Sequence, residues 1–313
     1  MTTKVIIDCD PGIDDACALI LALLDKRVDV VAVTAVAGNV SAERSSLNVQ
    51  TIVEQLDPPR LPRIGVAQMA DEAPATDSTP FHGKYGLGDA EYPTTSPHHR
   101  HPSDKLICDE VRAAPHEVTL LCLGPLTNVA RSLQRDPELE SLIQEIVVVG
   151  GAVACGGDVT PAAEFNIYYD SVAARSVFRS NTLKRLIPLD VTNRVSMTYG
   201  MLDELPKATT RVGGLLRKML PFTFRAHRQL RGEESVKLPG LVGLLALLHP
   251  ELFEAQEMAG DVELRGDLTK GETVFDRRAK RIWRDNLSVA VQVDTRAIET
   301  AMIRCLIESG RHG

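Results

Sequence analysis

Four aspartates lie within eight residues near the start of the chain, after an apolar stretch that begins at Lys4. They are Asp8, Asp10, Asp14 and Asp15, and the dipeptide Pro11-Gly12 separates the two pairs. Residues two apart in a strand share a face, and the first turn of a helix tolerates anions. So many carboxylates need a positive partner, and a set of oxygen ligands favours Ca²⁺ or Mg²⁺ over Zn²⁺. Capping a helix needs a single aspartate, so capping does not explain the cluster.

The elements that must hold these aspartates are indicated by an alternation of strand-like and helical patterns. One predicted strand begins at Lys4, and the others cover residues 28–36, 117–123, 143–149 and 183–189. Helical patterns cover residues 16–24, 42–55, 126–134 and 171–179. Near-continuous apolar strands that alternate with helices predict a largely parallel sheet covered on both faces. We therefore expect one α/β domain over residues 1–313, with a mostly parallel, Rossmann-like central sheet flanked by helices.

Polar residues and glycines follow the predicted strands. They are Asp10, Asn39, Leu123, Gly150-Gly151 and Asp190, each at or just beyond the carboxyl end of a strand. Ligands of open α/β sheets bind at these carboxyl ends. We therefore expect these residues to converge on one rim and to form a pocket with a metal at its centre.

The bulk properties exclude several classes of partner. A formal charge of -7 argues against nucleic acid or an anionic membrane as the main partner. The longest apolar run, residues 241–248, is too short to span a bilayer. No secretory signal is evident, and six scattered cysteines without CxxC spacing are typical of reduced thiols. These features predict a cytoplasmic protein.

Ordered sequence blocks extend the aspartate segment through most of the chain. They are Asp8-x-Asp10-Pro11-Gly12-x-Asp14-Asp15, Gly38-Asn39, His82-Gly83-x-x-Gly86-Leu87-Gly88, Leu123-Gly124-Pro125-Leu126-Thr127-Asn128, Gly150-Gly151, the segment from Val159 to Asn166, Leu189-Asp190-Val191-Thr192 and the segment from Gly266 to Gly271. In order and spacing these blocks resemble the calcium-dependent nucleoside hydrolases of the inosine-uridine-preferring type. The resemblance implies an enzyme of nucleoside salvage that cleaves the N-glycosidic bond of ribonucleosides to ribose and a free base. It also implies a homodimer or homotetramer.

The resemblance further implies a role for individual residues. Ca²⁺ would be bound by Asp10, Asp15 and the main-chain carbonyl of Leu123, and Asp10 would be the general base on a calcium-bound water. The residues implied to bind the nucleoside or ribose are Asp14, Asn39, His82, Asp158, Glu164 and Asn166. For His82, a role in stabilising its loop is an equal alternative. Carboxylates around the sugar suit this chemistry because glycosidic cleavage passes through an oxocarbenium-like state.

The main departure from the family pattern lies before the apolar run at residues 241–248. The family usually has His-Asp there, with the Asp completing the calcium sphere and the His near the leaving base, whereas this chain has Pro239-Gly240. Two side-chain carboxylates and one carbonyl are then left for an ion that prefers six to eight oxygens. A carboxylate of Glu233 or Glu234 is a candidate replacement. The second hypothesis is therefore a nucleoside- or ribose-binding protein with weak or no turnover.

Three other patterns have competing interpretations. A haloacid-dehalogenase-type phosphatase also begins with a strand and DxD, but it usually has Thr or Val where this chain has Gly12, and it gives Asp14-Asp15 no role. The run His98-His99-Arg100-His101 is better explained by a solvated loop than by a metal site. Phe222, Phe224 and His227 fall in one helical stretch, for which a position over the base is one interpretation; the favoured prediction is that their side chains lie mainly in the core.

Overall fold

A nine-stranded sheet forms the centre of the described part of the protein, a computed structural model that covers residues 2–71, 73–93 and 101–311. The strands of this sheet are β1 (Thr3–Cys9), β2 (Val28–Ala35), β3 (Arg63–Val66), β4 (His101–Pro102), β5 (Val118–Cys122), β6 (Glu145–Val149), β7 (Lys184–Ile187), β10 (Phe253–Met258) and β13 (Leu287–Val293). Two separate two-stranded sheets pair β8 (Met197–Thr198) with β9 (Ser235–Val236) and β11 (Gly260–Val262) with β12 (Thr273–Phe275). The sheet order is β10-β13-β7-β6-β5-β1-β2-β3-β4, and every pair is parallel except β10 with β13. The predicted mostly parallel α/β fold is confirmed.

Helices cover both faces of this sheet. They are α1 (Ile13–Ala22), α2 (Ala42–Leu56), α3 (Thr79–His82), α4 (Ser103–Ala113), α5 (Thr127–Arg135), α6 (Leu139–Leu142), α7 (Phe165–Tyr169), α8 (Ser171–Arg179), α9 (Leu189–Thr192), α10 (Arg211–Arg231), α11 (Pro239–Leu248) and α12 (Thr295–Ser309). No helix in the described ranges is both long and apolar enough to cross a membrane.

The alternation of side chains along β1 divides the core into two layers. Val5 and Ile7 pack on the side of α1, α2, α10, α11 and α12, whereas Ile6 packs on the side of α4, α5 and α8. This is the period-2 pattern of a strand buried on both faces. Because β1 lies between β5 and β2, its carboxyl end is at the middle of the sheet edge.

The described part of the long stretch between β3 and α4 has few regular elements. It contains the short helix α3 and the two-residue strand β4. Asp190, expected at a strand end, lies in the short helix α9. The histidines His98 and His99, with Arg100, lie outside the described residues.

Candidate functional site

Asp10 follows the last residue of β1 and is fully buried. A Cβ atom at either Gly38 or Gly124 would overlap the carboxylate of Asp10, so both neighbours must lack a side chain. One carboxylate oxygen, Oδ2, accepts the backbone N–H of Asn39. The other oxygen, Oδ1, is buried without a hydrogen-bond partner among the described residues. This oxygen is therefore available to a ligand.

Asp14 and Asp15 lie in the first turn of α1, as predicted. Asp15 is buried, and its Oδ2 accepts the backbone N–H of Asp10 at 3.3 Å. Asp14 accepts the backbone N–H of Gly240 at 3.2 Å through Oδ2, while its buried Oδ1 has no partner in the described ranges. Burial raises the pKa of Asp10 to about 8 and also raises the pKa of Asp15, where the charge of Asp14 adds to the effect. Without a nearby cation, this site therefore disfavours full ionisation at neutral pH.

Asp8 has a different role from the other three aspartates. Its Oδ1 accepts hydrogen bonds from the Thr34 hydroxyl at 2.6 Å and from the Asn128 amide at 2.8 Å. Burial raises the pKa of Asp8 to about 7, against the opposing effect of these two bonds. Asp8 therefore joins β1 to β2 and α5.

The carbonyl of Leu123 lies just beyond β5 and already accepts a hydrogen bond from the side-chain amide of Asn166 at 2.7 Å. The same amide group donates to the carbonyl of Val149 at 3.0 Å. A carbonyl oxygen has two lone pairs, so one remains for a further partner. Asn166 was predicted to bind ribose, but its amide nitrogen already donates hydrogen bonds to main-chain carbonyls at two strand ends.

Glu164 and Asp158 also support the main chain around the site. Glu164 caps α7, and its Oε2 accepts the backbone N–H groups of Gly151 at 2.9 Å and Ile167 at 3.1 Å. Burial raises the pKa of Glu164 to about 8. Asp158 accepts the backbone N–H of Phe165 at 2.9 Å.

A cavity of about 550 Å³ lies over this sheet edge. Its lining includes the predicted residues Asp14, Asp15, Asn39, His82, Leu123, Asp158, Glu164 and Asn166. Asp10 does not line the cavity itself. It is hydrogen-bonded to two residues that do, Asp15 and Asn39. The structure therefore brings the predicted site residues together around one cavity, with Asp10 directly beside it.

The contacts of His82 are compatible with both roles that the sequence left open. It ends α3 and lines the cavity, and its Nδ1 lies 3.0 Å from the backbone nitrogen of Ile13. Because Nδ1 accepts this N–H, the ring proton is placed on Nε2. Burial lowers the pKa of His82, which favours the neutral ring. His82 thereby anchors the start of α1 and presents a neutral donor.

His227 belongs to the group that the sequence interpretation placed mainly in the core, with a position over the base as the alternative. Phe224 is buried in the core as predicted, whereas the buried His227 also lines the cavity. Its Nδ1 lies 2.9 Å from Oε2 of Glu233, and its ring packs edge-on against Phe81 with centroids 5.2 Å apart. Glu233, considered as a replacement metal ligand, therefore pairs with a histidine instead. No local motif joins these two residues, because Gly232 ends α10 between them.

Gly240 lies directly beside Asp15. A Cβ atom at position 240 would be 2.5 Å from Oδ1 of Asp15, so a side chain there would enter the carboxylate cluster. Among the described residues, no group of three or more acidic, histidine or cysteine side chains is placed to hold one metal ion. The cluster therefore offers the carboxylates of Asp10 and Asp15 and the carbonyl of Leu123, which are all hard oxygen donors of the kind that Ca²⁺ binds.

Comparisons with known proteins extend over nearly the whole chain. A family model described as inosine-uridine preferring nucleoside hydrolase matches residues 5–300. The chain is 35% identical over 298 residues to the pyrimidine-specific ribonucleoside hydrolase RihA of Salmonella typhi, with 94% of this chain and 95% of RihA covered. It is 36% identical over 294 residues to the non-specific ribonucleoside hydrolase RihC of Salmonella enteritidis PT4, with 93% of each chain covered. The structure of a purine-preferring ribonucleoside hydrolase from Gardnerella vaginalis superposes with a TM-score of 0.91 at 26% identity, covering 99% of this chain and 100% of that one.

Proposed function

Because this chain belongs to the inosine-uridine preferring nucleoside hydrolase family, and is therefore an N-ribosyl hydrolase, we propose that Asp10 is the general base of its reaction. The observation that carries this proposal is the buried Asp10 carboxylate beside the cavity, with Oδ1 unpartnered among the described residues. Such a carboxylate is suited to accept a proton from a water that attacks the sugar. The binding-only hypothesis is not favoured, since the matched relatives are named as hydrolases.

We further propose that Asp10, Asp15 and the carbonyl of Leu123 hold Ca²⁺. Their oxygens suit this ion, and burial opposes ionisation of both carboxylates unless positive charge is present. When bound, the ion would supply that charge and lower the pKa of a water molecule. The lack of a side chain at Gly240 leaves coordination positions for water or for the ribose diol.

The remaining cavity residues support binding of the sugar. Asp14, Asn39 and Glu164 present oxygens or amides to the same space. Carboxylates near the sugar stabilise the positive charge that develops as the glycosidic bond breaks. The proposed substrates are ribonucleosides of both base classes, since the relatives named above include pyrimidine-specific, purine-preferring and non-specific enzymes.

The experiment is an assay of ribose release from uridine and inosine, with reducing sugar and free base measured in parallel. The wild-type chain is expected to release both products in equal amounts, and Asp10→Asn is expected to lower kcat by roughly 10²–10⁴-fold. Calorimetric titration of the chelator-treated protein with Ca²⁺ tests the ion separately. Wild-type turnover in Asp10→Asn would refute the general base, and no heat of binding at millimolar Ca²⁺ would refute the calcium site.

A further inference from the structure

Four side chains of the cavity can donate a proton or a hydrogen bond from a ring or a cationic group. They are His82, His227, Arg231 and Lys237. Hydrolysis of a nucleoside leaves the electron pair of the C1′–N bond on the base, and a donor at the base stabilises that charge. Pro239, which also lines the cavity, offers neither a side-chain donor nor a backbone N–H.

Three of these four candidates are poorly suited to give up a proton at neutral pH. His82 is held with its Nδ1 on the Ile13 N–H, and burial lowers its pKa, so its ring is neutral. The other two candidates are a guanidinium, on Arg231, and an ammonium, on Lys237; groups of these types are weak acids that donate hydrogen bonds more readily than protons. Arg231 also lies over the ring of Phe81, 4.5 Å from its centroid. The remaining candidate is His227.

The surroundings of His227 place a carboxylate against one of its two ring nitrogens. Nδ1 faces Oε2 of Glu233 at 2.9 Å, and Glu233 does not line the cavity. The hydrogen bond from His227 is the main cause that lowers the pKa of Glu233, which keeps this carboxylate ionised. A carboxylate on Nδ1 orients the ring and stabilises its imidazolium form. Nε2 has no hydrogen-bond partner among the described residues and is the ring nitrogen left for the cavity.

The orientation of the ring is secured from a second direction. Phe81 contacts His227 edge-on, and Arg231 covers the ring of Phe81. Glu233 is fixed to the same helix end, since its backbone N–H donates to the carbonyl of His227 at 3.3 Å. Among the described residues, Glu233 contacts the His227 ring, His82 interacts with it electrostatically, and Arg231 lies on the ring of Phe81 that packs against it. Two sides of the imidazole are packed, which preorganises Nε2.

We propose that His227, positioned by Glu233, donates the Nε2 proton to the leaving base, the function for which Pro239 provides no group. In this step the C1′–N bond breaks with its electron pair on the base nitrogen, which takes the proton from Nε2. The water oxygen forms the new bond to C1′, and its proton passes to Asp10. Solvent then returns a proton to His227 and removes one from Asp10, so that nucleoside and water yield ribose and base. This proposal rests on the proposed hydrolase function.

The test compares two leaving groups in the full-length protein with Ca²⁺ present. Uridine and inosine need protonation of the base, whereas p-nitrophenyl β-D-ribofuranoside releases a stable phenolate without it. For His227→Gln we expect kcat/KM for the nucleosides to fall by roughly 10²–10⁴-fold, the usual range for a general acid, and kcat/KM for the nitrophenyl riboside to change less than about threefold. Glu233→Gln is expected to show the same selectivity with a smaller loss, because it removes positioning rather than the donor.

The matched control is His249→Gln. His249 also pairs with a glutamate, Oε1 of Glu251 at 3.2 Å, but it does not line this cavity. This variant should hydrolyse both kinds of substrate like the wild type. Turnover of the nitrophenyl riboside shows that a variant is folded and has a working sugar site.

Two results would overturn the proposal, and they can be told apart. In the first, the wild type is active, and His227→Gln either keeps kcat/KM for nucleosides within about threefold of the wild type or loses kcat/KM equally on both kinds of substrate. This result would reject the donor role and leave the hydrolase function intact. A wild type that hydrolyses neither substrate would reject the proposed function itself, and the role of His227 with it.

Discussion

At the scale of single residues, the position of Asp10 depends on two neighbours without side chains. Gly38 follows β2 and Gly124 follows β5, and any Cβ atom at either position would overlap the Asp10 carboxylate. A strand end on each side of β1 thus makes room for one buried group. The same closeness lets the backbone N–H of Asn39 reach Oδ2 of Asp10.

Asn39→Ala separates the backbone contribution at position 39 from that of the side chain. The variant keeps the backbone N–H that holds Asp10 and loses only the amide that lines the cavity. A lost hydrogen bond to ribose is worth about 0.5–1.5 kcal/mol, so kcat/KM should fall roughly two- to tenfold, mainly through KM. Steady-state assays beside Asp10→Asn provide the comparison. A loss in kcat as large as that of Asp10→Asn would show that the Asn39 side chain takes part in the chemical step.

The acidic residues of the candidate site are easier to group from the sequence than its histidines. Asp10, Asp14 and Asp15 are close in the chain, so strand and helix periodicity is enough to group them. His227 lies on α10 only three residues after the core residue Phe224, and helical spacing assigns both to one buried face. Its partner Glu233 is brought near by the left-handed Gly232 at the helix end. Such a pairing depends on tertiary structure rather than on local pattern.

At the scale of elements, the start of α11 faces the acidic end of α1. The backbone N–H of Gly240, in the first turn of α11, donates to Asp14, and position 240 adjoins Asp15. Helix N-termini carry partial positive charge that stabilises nearby anions by about 0.3–1 kcal/mol. The helix therefore offsets part of the repulsion among these carboxylates without any charged side chain of its own in that turn.

Gly240→Asp tests what a side chain at the start of α11 does to the calcium site. The new Cβ would lie 2.5 Å from Oδ1 of Asp15, so the Asp15 carboxylate must turn aside. We expect tighter binding of Ca²⁺, because an anionic oxygen is added to the cluster. Gly240→Asn is the matched control, with similar volume and no added charge. Calorimetry that found equal Ca²⁺ affinity in both folded variants would show that position 240 does not reach the ion.

Buried strands were predicted from the sequence more accurately than exposed ones. The central strands β1, β2, β5 and β6 are apolar runs, and their prediction from the sequence is accurate to within a few residues. The edge strand β10 was not predicted, because four of its six residues are exposed and it lacks an apolar run. Elements that frame the site on the sheet were therefore predictable, whereas the short helix α3 that carries His82 was not.

At the scale of the whole molecule, parallel strands bring distant segments to a single edge. Leu123 and Gly150 follow adjacent strands and meet around Asn166, which bonds to the carbonyls of Leu123 and Val149. The predicted convergence on one rim is confirmed for the residues that line the cavity. Asp190 is an exception, since its carboxylate accepts backbone N–H groups from Val153 and the two residues after it.

The stability of the molecule should depend on pH through Glu164. Burial raises its pKa from 4.5 to about 8 in the folded protein, so the folded state binds this proton more tightly than the unfolded state. The contribution of this proton to the free energy of unfolding is complete below about pH 4.5 and is lost as the pH rises towards about 8. Glu164→Gln has no such proton and should become more stable relative to the wild type between pH 5 and 9.

Thermal unfolding of both proteins in the presence of a chelator would measure this effect. The exposed Glu43, which lies in the first turn of α2, provides the control variant Glu43→Gln, whose difference from the wild type should stay flat over the same pH range. A difference between Glu164→Gln and the wild type that did not change with pH would contradict the raised pKa.

The hydrogen bond from Gly240 to Asp14 joins residues that are 226 positions apart in the chain. During synthesis on a ribosome, the aspartate segment emerges well before α11. Contacts between such distant segments form late, because the entropy of closing a long loop must be overcome first. The acidic segment therefore spends most of translation without its helix partner. A nascent chain that ends before α11 therefore lacks the helix N-terminus that faces Asp14 and Asp15.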